Sequence, residues 1–294
     1  MTNKKLVKTI AASVAALVTF IGAGLGINEL NNEKKPSTQK TTSNMEVHYI
    51  DVGQGDATLI KCGDKAMLID AGENDMGTKV WSYLKSQNVM KLDYVIGTHP
   101  DSDHIGGLDV IIYKLKCENV FMSSYKKDTR TYDDVIQAAK SKNYKIVNPK
   151  VGDTYELGEA TFTIVAPNDK YDDANNASIG IYLEHGDISY LFTGDAEYEA
   201  ERDIVNNGLN IDADIYKAGH HGSRTSSCDE FLEEVTPKYV VVSCGEDNSY
   251  GHPHAAILNY CRINKIPLYR TDKQGTIVLK SDGKNIEWNM APAE

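Results

Sequence analysis

Residues 94–107 read YVIGTHPDSDHIGG. The apolar run at 94–98 is typical of a short buried strand, and four groups that bind metal ions follow it within six residues: His99, Asp101, Asp103 and His104. Two carboxylates and two imidazoles at this density are costly unless a cation neutralises their charge. In a tight loop, the first pair can face one position and the second pair a neighbouring one, as in a two-metal site. The spacing H-x-D-x-D-H therefore predicts a loop that holds divalent metal.

The segments around this loop predict an α/β fold. Strand-like runs dominate the beginning, at 47–51, 57–62 and 66–70, and strands then alternate with helices, such as those at 77–87, 108–114 and 132–141. Hairpins are predicted across Gly-Asp pairs at 63–64 and 186–187, and Gly106 and Gly107 are expected to let the backbone turn into a helix. The order fits a four-layer αββα sandwich, with a three-layer doubly wound sheet as the alternative. No glycine-rich phosphate loop and no G-x-S-x-G motif is present.

The N-terminal residues predict export. Three lysines at positions 4, 5 and 8 precede an apolar stretch at 10–27, which is typical of a signal peptide or an uncleaved membrane anchor, with a buried core helix as the alternative. We therefore predict a leader at 1–28, a polar linker at 29–44 and a hydrolase domain at 45–294. The domain is expected to be secreted or held on the outer face of the cytoplasmic membrane, which it meets only through this stretch.

The composition limits the choice of partner. The chain has 294 residues and a net charge of −11, and its five cysteines form no C-x-x-C pair. An acidic surface does not suit a protein that coats nucleic acid, because phosphate contacts need Lys and Arg. The cysteines are interpreted as buried thiols rather than as a disulfide framework. The sequence indicates no obligate protein partner.

Several motifs together resemble a known family. The loop resembles the metallo-β-lactamase signature H-x-H-x-D-H, with Asp101 in place of the second histidine. With DVGQGDA at 51–57, it resembles the extracellular hydrolase domain of ComEC-type DNA-uptake proteins. Four more landmarks follow in order: LIDAG at 68–72, FTGD at 192–195, KAGHHGS at 217–223 and YGHPH at 250–254. The resemblance covers residues 46–288 and implies a metallo-β-lactamase sandwich in a stand-alone exported form.

The landmarks supply the remaining candidate residues. Asp195 follows a strand and a glycine, where a carboxylate can bridge two metals or cap a helix starting at residue 196. His221 is predicted to bind metal or to protonate a leaving oxygen. His220 and Ser223 are candidates for contacting ligands or substrate, and His252 is a candidate ligand, substrate contact or turn residue. The resemblance implies that Asp70 does not bind metal itself but orients the metal-binding side chains by hydrogen bonding to them.

One family position departs from the usual pattern. No histidine occurs near residues 176–178, where the superfamily's third motif is expected. The first metal position then has His99 and Asp101, with Asn176 or Ser178 as further candidates, and the second has Asp103, His104, Asp195 and His221. Replacing imidazole by carboxylate favours Mn²⁺ or Mg²⁺ relative to Zn²⁺. We predict one or two ions, with Mn²⁺ or Zn²⁺ as the first choices and Mg²⁺ as a further option.

The resemblance implies hydrolysis by a water that the metal activates, with Asp103 and His221 as catalytic residues. A phosphodiester such as DNA is the predicted substrate, and nearby positive charge is available for phosphate from four residues: Lys126, Lys127, Arg130 and Arg224. Two alternatives stay open. One is hydrolysis of a lactam, a lactone or a cell-wall phosphodiester. The other is a non-catalytic binding protein that keeps a partial site.

Overall fold

The computed structural model describes residues 44–293. The predicted leader at 1–28, and all of the predicted linker except its last residue, lie outside the described residues. Within residues 44–293, no helix combines the length and the apolar character that crossing a membrane requires.

The described residues form fifteen strands and eight helices. The strands are β1 Met45–Tyr49, β2 Thr58–Cys62, β3 Lys65–Ile69, β4 Lys91–Gly97, β5 Lys116–Met122, β6 Ile146–Val147, β7 Thr154–Leu157, β8 Ala160–Ala166, β9 Gly180–His185, β10 Ile188–Phe192, β11 Ile215–Lys217, β12 Tyr239–Val242, β13 Leu268–Arg270, β14 Ile277–Ser281 and β15 Ile286–Trp288. The helices are α1 Gly77–Ser86, α2 Ser102–Ile105, α3 Leu108–Lys114, α4 Arg130–Ser141, α5 Tyr198–Asn206, α6 Asp229–Val235, α7 Ala255–Asn264 and α8 Thr271–Gln274, with a 3₁₀ turn at Gly219–Gly222.

The strands lie in two mixed sheets. The first has the order β15-β14-β1-β2-β3-β4-β5-β6, and the second has the order β13-β12-β11-β10-β9-β8-β7. In each sheet one half is antiparallel and the other half is parallel: β3 to β6 run parallel in the first, and β10 to β13 run parallel in the second. The predicted hairpins β2–β3 and β9–β10 are confirmed. The parallel halves matter for function, because loops at the carboxyl ends of such strands commonly carry the binding site.

Three apolar layers hold the elements together. Side chains from both sheets, such as Tyr49, Phe162 and Tyr190, form the central core. A second core packs the outer face of the first sheet against α1, α3 and α4, and a third packs the second sheet against α5, α6 and α7. The order helix, sheet, sheet, helix confirms the predicted αββα sandwich. All five cysteines lie in the described part of the chain and form no disulfide with one another, and only Cys228 is not fully buried.

Some sequence expectations differ from the structure. Gly106 and Gly107 have φ values of −56° and −86°, so neither is needed for an unusual turn. A Cβ at Gly106 would instead lie 2.4 Å from the Asn74 nitrogen, and one at Gly107 would lie 2.4 Å from the Ala71 oxygen. The glycines are therefore required by close packing of two backbones. The short elements β6, β15, α2 and α8 were not predicted, because two to four residues carry no periodic signal.

Candidate metal centre

The predicted metal-binding groups come from loops at the carboxyl ends of strands in both sheets. His99 follows β4, and His104 lies in α2 directly after it. Asp195 follows β10, and His221 lies in the 3₁₀ turn after β11. His220 and His221 both adopt positive φ values, 48° and 55°. Non-glycine residues rarely adopt this conformation, and such strain is concentrated at functional sites.

Four buried side chains converge on one point. Asp56, His104, Asp195 and His221 each offer one ligand atom, and these atoms lie within 4.8 Å of one another. His104 Nε2 is 3.1 Å from Asp195 Oδ1 and 3.2 Å from His221 Nε2, and His221 Nε2 is 3.4 Å from Asp195 Oδ2. Two imidazole nitrogens and two carboxylates are a donor set that binds divalent first-row metals. The structure therefore contains a candidate metal cluster.

Two further predicted residues border this cluster. Asp103 Oδ2 lies 3.2 Å from His221 Nε2 and 4.0 Å from His104 Nε2. His99 Nε2 lies 4.0 Å from Asp195 Oδ2 and has no hydrogen-bond partner, although it is buried. Asp56 Oδ1 is also buried without a hydrogen bond. Leaving buried polar atoms unpaired is costly, so these two atoms fit a cation that they would help to bind.

The charges of the cluster stabilise each other. Burial alone would lower the pKa of His104, but the carboxylates of Asp195, Asp70 and Asp103 outweigh it and hold that pKa well above its usual range. Burial also opposes protonation of His221, and Asp195 and Asp56 still raise its pKa to about 10. In His99, burial and the neighbouring charge of His104 lower the pKa to about 4. Binding of a cation here would displace the protons of His104 and His221.

Hydrogen bonds to the Nδ1 atoms fix the orientation of the imidazole rings. Asp70 Oδ2 is 2.8 Å from His104 Nδ1, and Asp70 also accepts hydrogen bonds from the backbone and hydroxyl of Thr98. The Ser243 carbonyl oxygen is 3.0 Å from His221 Nδ1. Ser178 Oγ is 3.2 Å from His99 Nδ1 and accepts from the Asp195 backbone nitrogen at 3.0 Å. These contacts leave each Nε2 atom facing the cluster.

Two predicted candidates are not brought into the cluster. Asp101 Oδ1 lies 2.7 Å from Lys127 Nζ, so a lysine neutralises the residue that replaces the family's second histidine. The side-chain oxygen of Asn176 accepts from the backbone nitrogens of Glu197 and Ala200, and its amide nitrogen donates to an aspartate. Asn176 therefore shapes the start of α5. That helix begins at Tyr198 rather than at 196, so Asp195 does not cap it.

Two further candidate histidines, His220 and His252, lie beside the cluster. The side chain of His220 is 22% exposed, its Nδ1 lies 3.1 Å from Glu197 Oε1, and its Nε2 lies 3.6 Å from Asp195 Oδ2. Ser223 holds the same turn through a 3.0 Å hydrogen bond with Thr225. The ring of His252 lies 5.5 Å from that of His220, between centroids. Burial, followed by the charge of His221, lowers the pKa of His252 to about 4.

Asp56 and Lys217 were not singled out from the sequence. Lys217 Nζ lies 2.7 Å from Asp56 Oδ2, with both side chains almost fully buried. Gly55 brings this segment against the metal loop, since a Cβ there would lie 2.3 Å from the Asp103 carbonyl oxygen, which accepts a hydrogen bond from the Asp56 nitrogen. The sequence feature that could have indicated this ion pair is Lys217 at the end of the apolar strand β11. Such a residue needs a buried partner of opposite charge.

Residues 50–246 match the model of the Metallo-beta-lactamase superfamily, and the chain belongs to that superfamily. ComE operon protein 3 of Bacillus subtilis (strain 168) is 32% identical to it over 256 residues, which cover 80% of this chain and 33% of that protein. Competence protein ComA of Neisseria gonorrhoeae is 29% identical over 230 residues, covering 77% of this chain and 31% of that protein. These relatives confirm the resemblance to ComEC-type competence proteins, of whose length this chain spans about a third.

A solved structure supports the fold independently. The metallo-beta-lactamase fold protein YhfI from Bacillus subtilis aligns with a TM-score of 0.57 at 14% identity, over 81% of this chain and all of that protein. At this identity, the likeness concerns the fold alone.

Proposed function

We propose that this chain is an exported metal-dependent hydrolase that cleaves phosphodiester bonds with a metal-activated water. The observation that carries the proposal is the convergence of His104, Asp195 and His221 with Asp56 on one buried point. The basic and apolar residues at 1–27 support export, because they have the pattern of a signal segment.

The donor set fits a divalent ion, with His104, Asp195 and His221 as its holders and Asp56 or Asp103 completing the shell. Such an ion supplies Lewis acidity, which lowers the pKa of water and polarises the bond to be cleaved. Asp103 is the carboxylate that also reaches solvent, since its side chain is 24% exposed. It is therefore placed to orient the attacking water and to accept its proton.

His220 is placed to protonate the leaving oxygen. Glu197 Oε1 contacts its Nδ1 atom, which orients the ring so that its Nε2 atom points toward Asp195. The sequence predicted this role for His221. That ring is 1% exposed and held among carboxylates, which suits a ligand better than a group that meets a leaving oxygen. We therefore assign proton donation to His220 and metal binding to His221.

Two observations support a phosphodiester as the substrate. Lys126 and Arg224 are exposed, in the segments that follow β5 and the 3₁₀ turn, and Lys127 forms an ion pair with Asp101 in the loop at 99–104. The motifs of the chain also resemble those of DNA-uptake proteins, and one of the relatives is named as a competence protein. A negatively charged ester placed between the metal cluster and these cations would have its charge neutralised on both sides.

The test is a reconstitution assay on the full chain. Metal-free protein is given Mn²⁺, Zn²⁺ or Mg²⁺ and then plasmid DNA, a bis-aryl phosphodiester or a chromogenic lactam. We expect cleavage of both phosphodiesters, lost in Asp195→Asn and kept in Asp187→Asn, an exposed aspartate at the opposite end of β10. Turnover of the lactam alone would contradict the proposal, as would no turnover with any metal.

The role of His220 has a separate test. A nitrophenolate leaves without being protonated, whereas the alkoxide of DNA needs a proton. His220→Asn should therefore lower the rate on DNA by about 10²–10⁴-fold and change the rate on the bis-aryl ester much less. Equal losses on both substrates would show that His220 is not the proton donor.

A further inference from the structure

An exposed aromatic ring, that of Tyr250, lies near the candidate metal cluster. Tyr250 is 64% exposed and lies in the loop between β12 and α7. One face of its ring stacks on His252, with centroids 5.5 Å apart and an angle of 18° between the planes. The high exposure means that the other face is open to solvent, although the ring is already ordered on one side.

The loop that presents Tyr250 is held in shape by one side chain. Asn248 donates hydrogen bonds from its amide to the carbonyl oxygens of Gly245 and His252, at 2.9 and 2.7 Å. The same side chain accepts one from the His252 nitrogen at 2.9 Å. These three bonds close the loop across the tyrosine. A ring held in this way loses little conformational freedom when a ligand packs on it, which favours binding.

The ring lies close to the proposed chemistry. His252 is packed between Tyr250 and the cluster, with its ring centroid 6.0 Å from that of His221 and 5.5 Å from that of His220. His252 Nδ1 is buried and has no hydrogen-bond partner. Tyr250 therefore stacks on His252, and the ring of His252 in turn lies beside His221, the proposed metal ligand, and His220, the proposed proton donor.

We propose that the open face of Tyr250 stacks one unpaired nucleobase of the strand whose phosphodiester lies at the metal centre. This inference rests on the proposed function and names its substrate as single-stranded nucleic acid. A planar aromatic surface beside a phosphate site matches the two parts of a nucleotide, and stacking accepts every base because each has a π face. A base must leave its duplex partner to stack in this way, so single strands are bound in preference to duplexes.

The net charge of the chain agrees with the binding of only a short stretch of nucleic acid. A net charge of −11 disfavours a long phosphate track. The exposed Arg224 lies on a neighbouring loop: its backbone nitrogen donates to His254 Nδ1 at 3.0 Å, and the ring of His254 lies 4.9 Å from that of His252, between centroids. One ring and one nearby cation suit a strand end or a short unpaired stretch.

The test measures binding rather than turnover. The full chain with Mn²⁺ is titrated into fluorescein-labelled thymidine pentamers with cleavage-resistant phosphorothioate linkages, and anisotropy is recorded. A second pentamer carries abasic sugars on the same backbone. Tyr250→Ala should weaken binding of the thymidine pentamer by about 5- to 150-fold, the range for one base on one aromatic ring. The same variant should leave the abasic pentamer unchanged, and Tyr250→Phe should bind both like the native chain.

Matched variants distinguish base stacking from a general loss of binding. Tyr113 is 59% exposed on α3, away from the site, so Tyr113→Ala should have no effect on either pentamer. Equal losses for both pentamers in Tyr250→Ala, loss in Tyr250→Phe, or no binding by the native chain would each overturn the inference. Hydrolysis of the bis-aryl ester with no dependence of binding on bases would keep the proposed function and reject Tyr250 as its base contact. Base-dependent binding without hydrolysis of any substrate would keep Tyr250 as the base contact and reject the proposed hydrolase function.

Discussion

The buried ion pair between Lys217 and Asp56 gives the most specific prediction about stability. Its nitrogen and oxygen lie 2.7 Å apart, and the side chains are 4% and 7% exposed. Lys217→Met fills a similar volume but leaves the carboxylate of Asp56 without its cation. Removing one partner of a buried pair costs about 3–5 kcal/mol, a large part of the about 5–15 kcal/mol that stabilises a typical protein.

The assay is thermal and urea unfolding of the full chain in the presence of a chelator, so that bound metal does not replace the missing charge. At about 2–4 °C per kcal/mol for a domain of this size, the midpoint should fall by about 6–20 °C. The double variant Lys217→Met with Asp56→Asn should recover most of the loss, because a buried pair replaced as a whole is nearly neutral in energy.

An exposed ion pair supplies the control. Lys116 Nζ lies 3.5 Å from Glu118, and the lysine side chain is 68% exposed. Lys116→Met should change the free energy of unfolding by less than about 1 kcal/mol. A loss in Lys217→Met as small as this control, or a double variant no more stable than the single one, would refute the reasoning.

Three other predictions concern the surroundings of the site. Asp70→Asn should weaken metal binding by about 10–100-fold, measured by calorimetry, because it changes the group that orients His104. Gly55→Ala should lower both the unfolding midpoint and metal affinity, since its Cβ would lie 2.3 Å from the Asp103 carbonyl oxygen; unchanged values would contradict the close contact. Burial raises the pKa of Glu201 to about 7, against about 4.3 when unfolded. Its stabilising contribution is fully present below the unfolded pKa and is lost as the pH rises from about 4.3 to about 7. Glu201→Gln should therefore remove about 3–4 kcal/mol of this pH dependence in unfolding experiments done with chelator.

Local patterns predicted most of the fold. The strands β2, β3, β9 and β10 could be located because Gly-Asp turns separate apolar runs. The helices α3 and α4 have apolar residues at helical spacing, and α4 buries Val135, Ala138 and Ala139. The start of α5 could not be predicted, because Asn176, far away in sequence, accepts a hydrogen bond from the Glu197 nitrogen, and Glu197 is extended rather than helical.

The candidate site was predictable only in part. The density of His and Asp residues at 99–104 predicted a metal-binding loop there, and the glycine before Asp195 indicated that a strand ends at that point. What each side chain meets depends on how the two sheets pack, and a single sequence does not contain that information. The pairing of Asp101 with Lys127 and of Asp56 with Lys217 therefore became apparent only in the structure.

Direct measurement of metal binding tests the central claim most simply. The full chain is stripped with chelator, dialysed to equilibrium against Mn²⁺ or Zn²⁺, and its bound metal is counted beside Asp195→Asn and the exposed control Asp187→Asn. We expect one or two ions per chain in the native protein and in Asp187→Asn, and a loss of affinity greater than tenfold in Asp195→Asn. A native chain that takes up no ion, or an Asp195→Asn chain that binds as tightly as the control, would contradict the account.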